Sequence, residues 1–95
     1  SIDVATYRYW QKNNTPFELL DVREVFEHDT YNIGGQLIPV ADLGTKLKEI
    51  PSKRPLIVYC QSGIRSVTAI KLLVKNGFKQ VYNLEGGLEA ISRHG

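Results

Sequence analysis

Ninety-five residues, 42% hydrophobic and 23% charged, allow one globular domain with one modest core. Twelve Lys and Arg against ten Asp and Glu leave a formal charge of +2, scattered along the chain, which argues against nucleic acid or an anionic membrane as a partner. No apolar run approaches the roughly 18–20 residues that span a bilayer, and a single cysteine excludes an intrachain disulfide and a thiolate-rich metal cage. The lone thiol, with a first decad that is polar and aromatic, leads to the expectation of a reducing, cytoplasmic setting. The lack of methionine, even at position 1, leads to the expectation that 1–95 is one domain excised from a longer polypeptide. No metal or cofactor is expected.

Asp3 is placed to N-cap a first helix, with Val4, Tyr7 and Trp10 at helical spacing, and 13–16 (Asn-Asn-Thr-Pro) ends it. The apolar run 17–22 closes on a polar Asp-Val-Arg-Glu and reads as a buried strand. Residues 23–28 have room for one or two helical turns, and 30–35 is loop, punctuated by Gly34-Gly35. Leu37-Ile38, before Pro39, makes a very short strand. Leu43, Leu47 and Ile50 predict a helix that Pro51 ends. Residues 56–59 (Leu-Ile-Val-Tyr) form the strongest strand. The pattern over 66–76 is helical, with Val67, Ile70 and Val74 as the apolar stripe, Thr68, Lys71 and Lys75 on another, and Gly77 at C′. Residues 81–84 read as a last strand, followed by Gly86-Gly87 and a short helical tail over 88–95. Strands alternating with helices predict an α/β fold: one domain, four to five mainly parallel strands, helices on both faces.

The chemistry sits in Cys60-Gln61-Ser62-Gly63-Ile64-Arg65-Ser66, between a buried strand and an amphipathic helix. Ligands bind at the carboxyl ends of strands in parallel α/β sheets. A loop there, feeding a helix N-terminus, aims several backbone N–H groups at one point and attracts an anion. A cysteine at its centre is expected to have a lowered pKa, because the thiolate is itself that anion. Arg65 adds a permanent positive charge, and Gly63 lets the backbone curl. A lone cysteine at a strand end is ordinarily just a small buried hydrophobe, but Gly63, Arg65 and Ser66 are not core-packing choices. The arrangement suits a thiolate nucleophile or a persulfide held as an anion.

These stretches resemble the rhodanese-like domain family. The resemblance rests on 19–24 (Leu-Leu-Asp-Val-Arg-Glu), 57–66 (Ile-Val-Tyr-Cys-Gln-Ser-Gly-Ile-Arg-Ser), Gly77-Phe78 and 81–87 (Val-Tyr-Asn-Leu-Glu-Gly-Gly), in order and nearly end to end. It implies a five-stranded parallel sheet between helices and a sulfurtransferase whose Cys60 carries sulfane sulfur as a persulfide. It also implies a pocket formed by the backbones of Gln61, Ser62, Gly63, Ile64 and Arg65. The family's Gly-His-Ile-Pro-Gly-Ala stretch is replaced by 32–39 (Asn-Ile-Gly-Gly-Gln-Leu-Ile-Pro), a variant similar to domains fused behind ubiquitin-activating-type adenylyltransferases of molybdopterin and thiolation pathways. The tail after Gly87 is shorter than is common in the family.

On this reading Cys60 and Arg65 are the catalytic pair. Gln61, Ser62, Gly63, Ile64 and Ser66 hold the substrate, with Arg23, and with it Glu24, at the mouth. The donor is thiosulfate or a protein persulfide, and a sulfur-carrier protein is a candidate acceptor. Asp21 is expected as a structural hydrogen-bond partner, Glu85 as either a site-facing or a solvated carboxylate. His28, His94 and the basic residues Lys46, Lys48, Lys53 and Arg54 are expected as solvated surface. Phosphatases and arsenate reductases need Cys-x5-Arg, whereas here Ser66 holds that position and the ring is smaller. A non-catalytic docking module on the same fold is the alternative function. A redox sensor would need an external thiol, since no second cysteine is present.

Overall fold

Residues 56–59 are apolar on both faces, as a central strand of a parallel sheet must be, and this strand is buried along its whole length. In the computed structural model, which describes residues 1–94, the elements run α1 (Val4–Lys12), β1 (Glu18–Asp21), α2 (Val25–Thr30), β2 (Gln36–Leu37), two 3₁₀ turns (Val40–Thr45 and Leu47–Glu49), β3 (Leu56–Tyr59), α3 (Arg65–Lys75), β4 (Val81–Asn83) and α4 (Gly87–Arg93). Gly95, the end of the expected tail, lies outside the described residues. The four strands are ordered β2-β1-β3-β4, and every neighbouring pair is parallel. Ile2 adds a one-residue parallel bridge to Leu84, so the sheet has the rudiment of a fifth strand at the β4 edge.

Side chains alternate across the sheet and divide the core in two. On one face Leu20, Val22, Leu56, Val58 and Cys60 pack with Leu43 and Ile50 of the 3₁₀ segment and Ala69 and Leu73 of α3. On the other, Ile57, Tyr59 and Leu84 pack with Val4 and Tyr7 of α1 and Leu88 and Ala90 of α4. Each fully buried Leu, Ile or Val contributes roughly 1.5–3 kcal/mol of transfer free energy. The helices therefore cover both faces, as expected.

Asp3 caps α1 as its position predicts, its carboxylate accepting the Thr6 N–H at 2.8 Å. Two expectations need correction. The stripe of Leu43, Leu47 and Ile50 is not an α-helix but two 3₁₀ turns, closed by the Lys46 N–H donating to the Leu43 carbonyl and the Ile50 N–H to that of Leu47. Gly44 favours helix poorly and Lys46 leaves helical φ, so the segment tightens instead of propagating. In α3 the buried stripe is Ser66, Ala69 and Leu73, whereas Val67 and Val74 are exposed. Ala69 presents only a methyl group to the sheet, and Ser66 must face Cys60, so the helix turns its larger Val residues outward.

The Gly86-Gly87 turn joins the last strand to the loop after Cys60. Gly87 has φ +58°, and a Cβ there would lie 2.3 Å from the Cys60 carbonyl oxygen. That closeness lets the N–H groups of Leu88 and Glu89 donate to the Cys60 and Gln61 carbonyls, each at 3.0 Å. Gly87→Ala is expected to cost on the order of 2 kcal/mol or more, read as a lower urea midpoint by the fluorescence of Trp10; an unchanged midpoint would remove the glycine from this role.

Candidate functional site

The chain leaves β3 at Tyr59, and Cys60 is the first residue beyond it, fully buried. Its side chain points to the α3 face, under the loop that returns to start that helix. The Gly63 N–H donates to Cys60 Sγ at 3.1 Å and the Ser66 N–H at 3.4 Å. Gly63 reaches this position with φ +91°, in the left-handed region, and a Cβ there would come within 2.9 Å of the Gly86 nitrogen. The Ser66 hydroxyl lies 3.4 Å from the sulfur and donates a very short hydrogen bond to Asn83 Oδ1. Asn83 Nδ2 in turn donates to the Gly63 carbonyl, so one amide side chain holds both ends of the loop. The hydroxyl has one proton. Toward a thiol it accepts S–H while donating to Asn83; toward a thiolate it can turn and donate to sulfur. Burial pushes the Cys60 thiol pKa up, but the Ser66 hydroxyl and the Ser66, Gly63 and Ser62 amides outweigh it and bring the thiol below its ordinary value.

Beside the loop, the carboxylate of Asp21 ends β1 in a fully buried position. It accepts from the backbone N–H of Arg23 at 3.0 Å, from Arg23 Nη2 at 2.8 Å and from His28 Nδ1 at 2.8 Å. Because a carboxylate only accepts, the His28 proton lies on Nδ1. Burial raises the Asp21 pKa, and these donors more than reverse it, so the group is held below its usual range. Arg23 also donates to the Tyr31 carbonyl and, at 3.4 Å, to Gln61 Oε1. Its guanidinium is thus a buried tie, while the residue also forms part of a cavity wall. His28 is not the solvated residue expected; its side chain is 19% exposed because Asp21 draws it in. His94 and the residues Lys46, Lys48, Lys53 and Arg54 are exposed, as expected.

Arg65 does not face the sulfur with a free charge. Its Nη1 and Nη2 donate to Glu27 Oε1 and Oε2 at 2.7 and 2.9 Å, a bidentate pair joining α3 to α2. Glu27 Oε1 also accepts the Glu24 N–H, closing a capping box at the start of α2. The pairing with Arg65, above all, pulls the Glu27 pKa down to about 2.

Between α2, Gln61 and α4 lies a cavity of about 540 Å³, within the usual range for ligand sites. Arg23, Glu27, Gln61, Tyr31, Phe26 and Leu88 contribute to its wall. Of the sequence-predicted residues, Gln61 and Arg23 line it, and Gly63 and Ser66 hold the sulfur. Ser62 and Ile64 are exposed on the loop's outer side. Glu24 and Glu85 are exposed and do not line it. Sequence reasoning missed Glu27, Asn83 and Tyr31. The Glu-x-x-Glu of a capping box over 24–27 was a legible signal for the first, and a polar Asn interrupting an apolar strand for the second. Among the described residues no group of His, Cys, Asp or Glu is placed to hold a metal ion, and no helix is long and apolar enough to cross a membrane.

The model of the rhodanese-like domain matches residues 5–94. The chain is 36% identical over 86 residues to a probable adenylyltransferase/sulfurtransferase, MoeZ, of Mycobacterium tuberculosis, covering 87% of this chain and 22% of that protein. It therefore spans about a fifth of that relative's length. It is 34% identical over 77 residues to the thiosulfate sulfurtransferase GlpE of Coxiella burnetii, covering 80% of this chain and 72% of the relative. Among solved structures, a rhodanese-related protein from Thermoplasma volcanium superposes with a TM-score of 0.86 at 29% identity, over 100% of this chain and 92% of that one.

Two outcomes follow from these contacts. A Glu27 carboxylate that titrates near 4.5 when free and about 2 when paired contributes stability that is complete above about pH 4.5 and lost as pH falls toward 2. Urea midpoints measured across that window should fall more steeply for the native chain than for Glu27→Gln; parallel curves would contradict the pairing. Ser66→Ala removes the strongest influence lowering the Cys60 pKa. Thiolate absorbance followed against pH should show its midpoint moving upward in that variant, and an unmoved midpoint would assign the lowering to the amides alone.

Proposed function

The chain belongs to the rhodanese-like domain family, and we propose that it is a sulfurtransferase that carries sulfane sulfur on Cys60. The observation that carries this reading is the convergence of the Gly63 and Ser66 amides and the Ser66 hydroxyl on one buried sulfur. In water-excluded surroundings such donors favour an anion strongly. They serve the thiolate before sulfur uptake and the terminal sulfur of a persulfide after it. The sulfurtransferase names of its relatives support the same class of reaction.

The reaction runs in two halves. The Cys60 thiolate attacks the outer sulfur of a donor, the donor's S–S bond breaks, and Cys60 becomes a persulfide. A nucleophilic acceptor then takes the outer sulfur and restores the thiolate, so ping-pong kinetics are expected. The backbones from Gln61 to Ser66 form the cradle. Arg65, paired with Glu27, contributes at most a compensated charge and orients the start of α3. Arg23 positions Gln61 at the cavity wall. The relative that joins adenylyltransferase to sulfurtransferase supports a sulfur-carrier protein as acceptor, and a reducing cytoplasmic compartment suits the free thiol.

One observation favours a second reading. Cys60 is fully buried, so a donor reaches it only when the loop shifts, and a domain that never opened would serve as a docking module. Incubation with a sulfane donor separates the two. A gain of about 32 Da on Cys60, absent in Cys60→Ser and removed by a thiol acceptor, is the expected outcome. No gain with any sulfane donor leaves the docking module.

A further inference from the structure

The wall of the cavity is electrically closed. Arg23 and Glu27 are the charged side chains that line it. Arg23 is bound to Asp21 at 2.8 Å, and Glu27 to Arg65 at 2.7 Å. Among the described residues, no lysine and no unpaired arginine faces this space. The rest of the wall is apolar or neutral, with Leu88 and Ile91 from α4 and Phe26 and Tyr31 at the rim, the last two 71% and 58% exposed. At about 540 Å³ the space is far larger than a small inorganic anion requires.

Sulfane donors differ in the charge they bring. Thiosulfate places a dianion against the Cys60 thiolate and releases sulfite, also anionic. An organic persulfide in its protonated form, R–S–SH, brings no charge to the attack. Surroundings without a free cation raise the cost of the first and keep the second in its neutral, electrophilic form. Arg65 is the arginine of the Cys60 loop, and Glu27, which lines the cavity, occupies both of its terminal nitrogens.

We propose that Glu27 sets donor specificity: by engaging Arg65 it leaves a neutral, partly apolar cavity, and the donor is an organic persulfide instead of thiosulfate. The inference rests on the sulfur-transfer reading and goes beyond it. The Cys60 thiolate attacks the outer sulfur of R–S–SH. The Cys60 Sγ–S bond forms as the donor S–S bond breaks, and its electron pair leaves with the carbon-bound sulfur as R–S⁻. That thiolate takes up the persulfide proton, giving R–SH and Cys60–S–S⁻. No net oxidation occurs and no co-reactant is required. The carrier R is a small thiol or a cysteine of a polypeptide, with apolar or uncharged groups near the sulfur to meet Phe26, Leu88 and Ile91.

The test compares rates of sulfur loading onto Cys60, read by mass after quenching, for three donors: thiosulfate, N-acetylcysteinamide persulfide, and a persulfidated cysteine peptide with apolar flanks. Both organic donors, or the peptide alone if the carrier is a polypeptide, should load about 100-fold faster than thiosulfate at equal concentration. Glu27→Gln keeps a side chain able to serve the α2 capping box while freeing Arg65. It should raise the ratio of thiosulfate to persulfide loading about tenfold. Thiosulfate loading as fast as the faster of the two organic donors overturns the specificity and leaves sulfur transfer standing. A ratio unmoved by Glu27→Gln overturns the role of Glu27. Loading by none of the three overturns the specificity and the sulfur-transfer reading together.

Discussion

A sulfur atom at the end of the central strand can hold negative charge out of water only if other donors replace the water it has lost. Here the replacement is mostly backbone. The N–H groups of Gly63 and Ser66 reach Cys60 Sγ because the loop turns sharply at Gly63 and then begins a helix. The first N–H groups of a helix have no partner within it, so the geometry that ends one element and starts the next supplies the donors. Desolvation alone would make this thiol a weaker acid; the donors reverse its sign. The site's chemistry is thus a consequence of the strand-to-helix connection, which also brings in the Ser66 hydroxyl as the strongest single donor.

Helix α2 is too short to be stable by itself, with six residues and none buried. It is held by charge. His28 binds Asp21 beneath it, and Glu27 binds Arg65 at the start of α3. Arg23, just before it, binds both Asp21 and the Tyr31 carbonyl, so the two ends of the helix are tied to one guanidinium. The buried Asp21–Arg23 pair adds little net stability over an apolar replacement, but it imposes one arrangement, since breaking either partner leaves an uncompensated charge. The cost of that arrangement is that Arg23 and Arg65 are both already engaged. The cavity is consequently positioned by strong electrostatics yet presents almost none of it to a ligand.

Much of this was legible in the sequence. The strand at 56–59, the Asp3 cap, Gly77 after α3 and the Cys60 loop all follow from local rules: an apolar run, a capping side chain, a turn residue. What was not legible is where tertiary contact overrode pattern. Val67, Ile70 and Val74 make a regular stripe, and Ile70 does pack at the edge of the core, but the sheet selected Ser66, Ala69 and Leu73 for full burial, because a hydroxyl was needed at the sulfur and a small side chain against the strands. Arg65 was legible as a charge near Cys60, while its neutralisation by a residue 38 positions away was not. His28 read as surface because nothing local announces a partner seven residues back on a strand end. Long-range pairing of charges leaves no period and no spacing in a single sequence.

Cys60 belongs to both halves of the core at once. Its side chain packs among Leu20, Val58 and Leu73 on one face. Its carbonyl accepts the N–H of Leu88, whose own side chain packs with Ile57 and Tyr59 on the other. The loop that follows is locked in the same way, by Gly63 against Gly86 and by the Gln61 carbonyl against Glu89. A domain of 95 residues has too little interior to set aside a separate scaffold for its site. It gains rigidity at the sulfur by routing core contacts through the reactive residue itself, which positions the donors closely. The same economy explains why the thiol is fully covered at rest. What covers the sulfur is the loop, held by its own amides and the Ser66–Asn83 contact, while the strands beneath carry both layers.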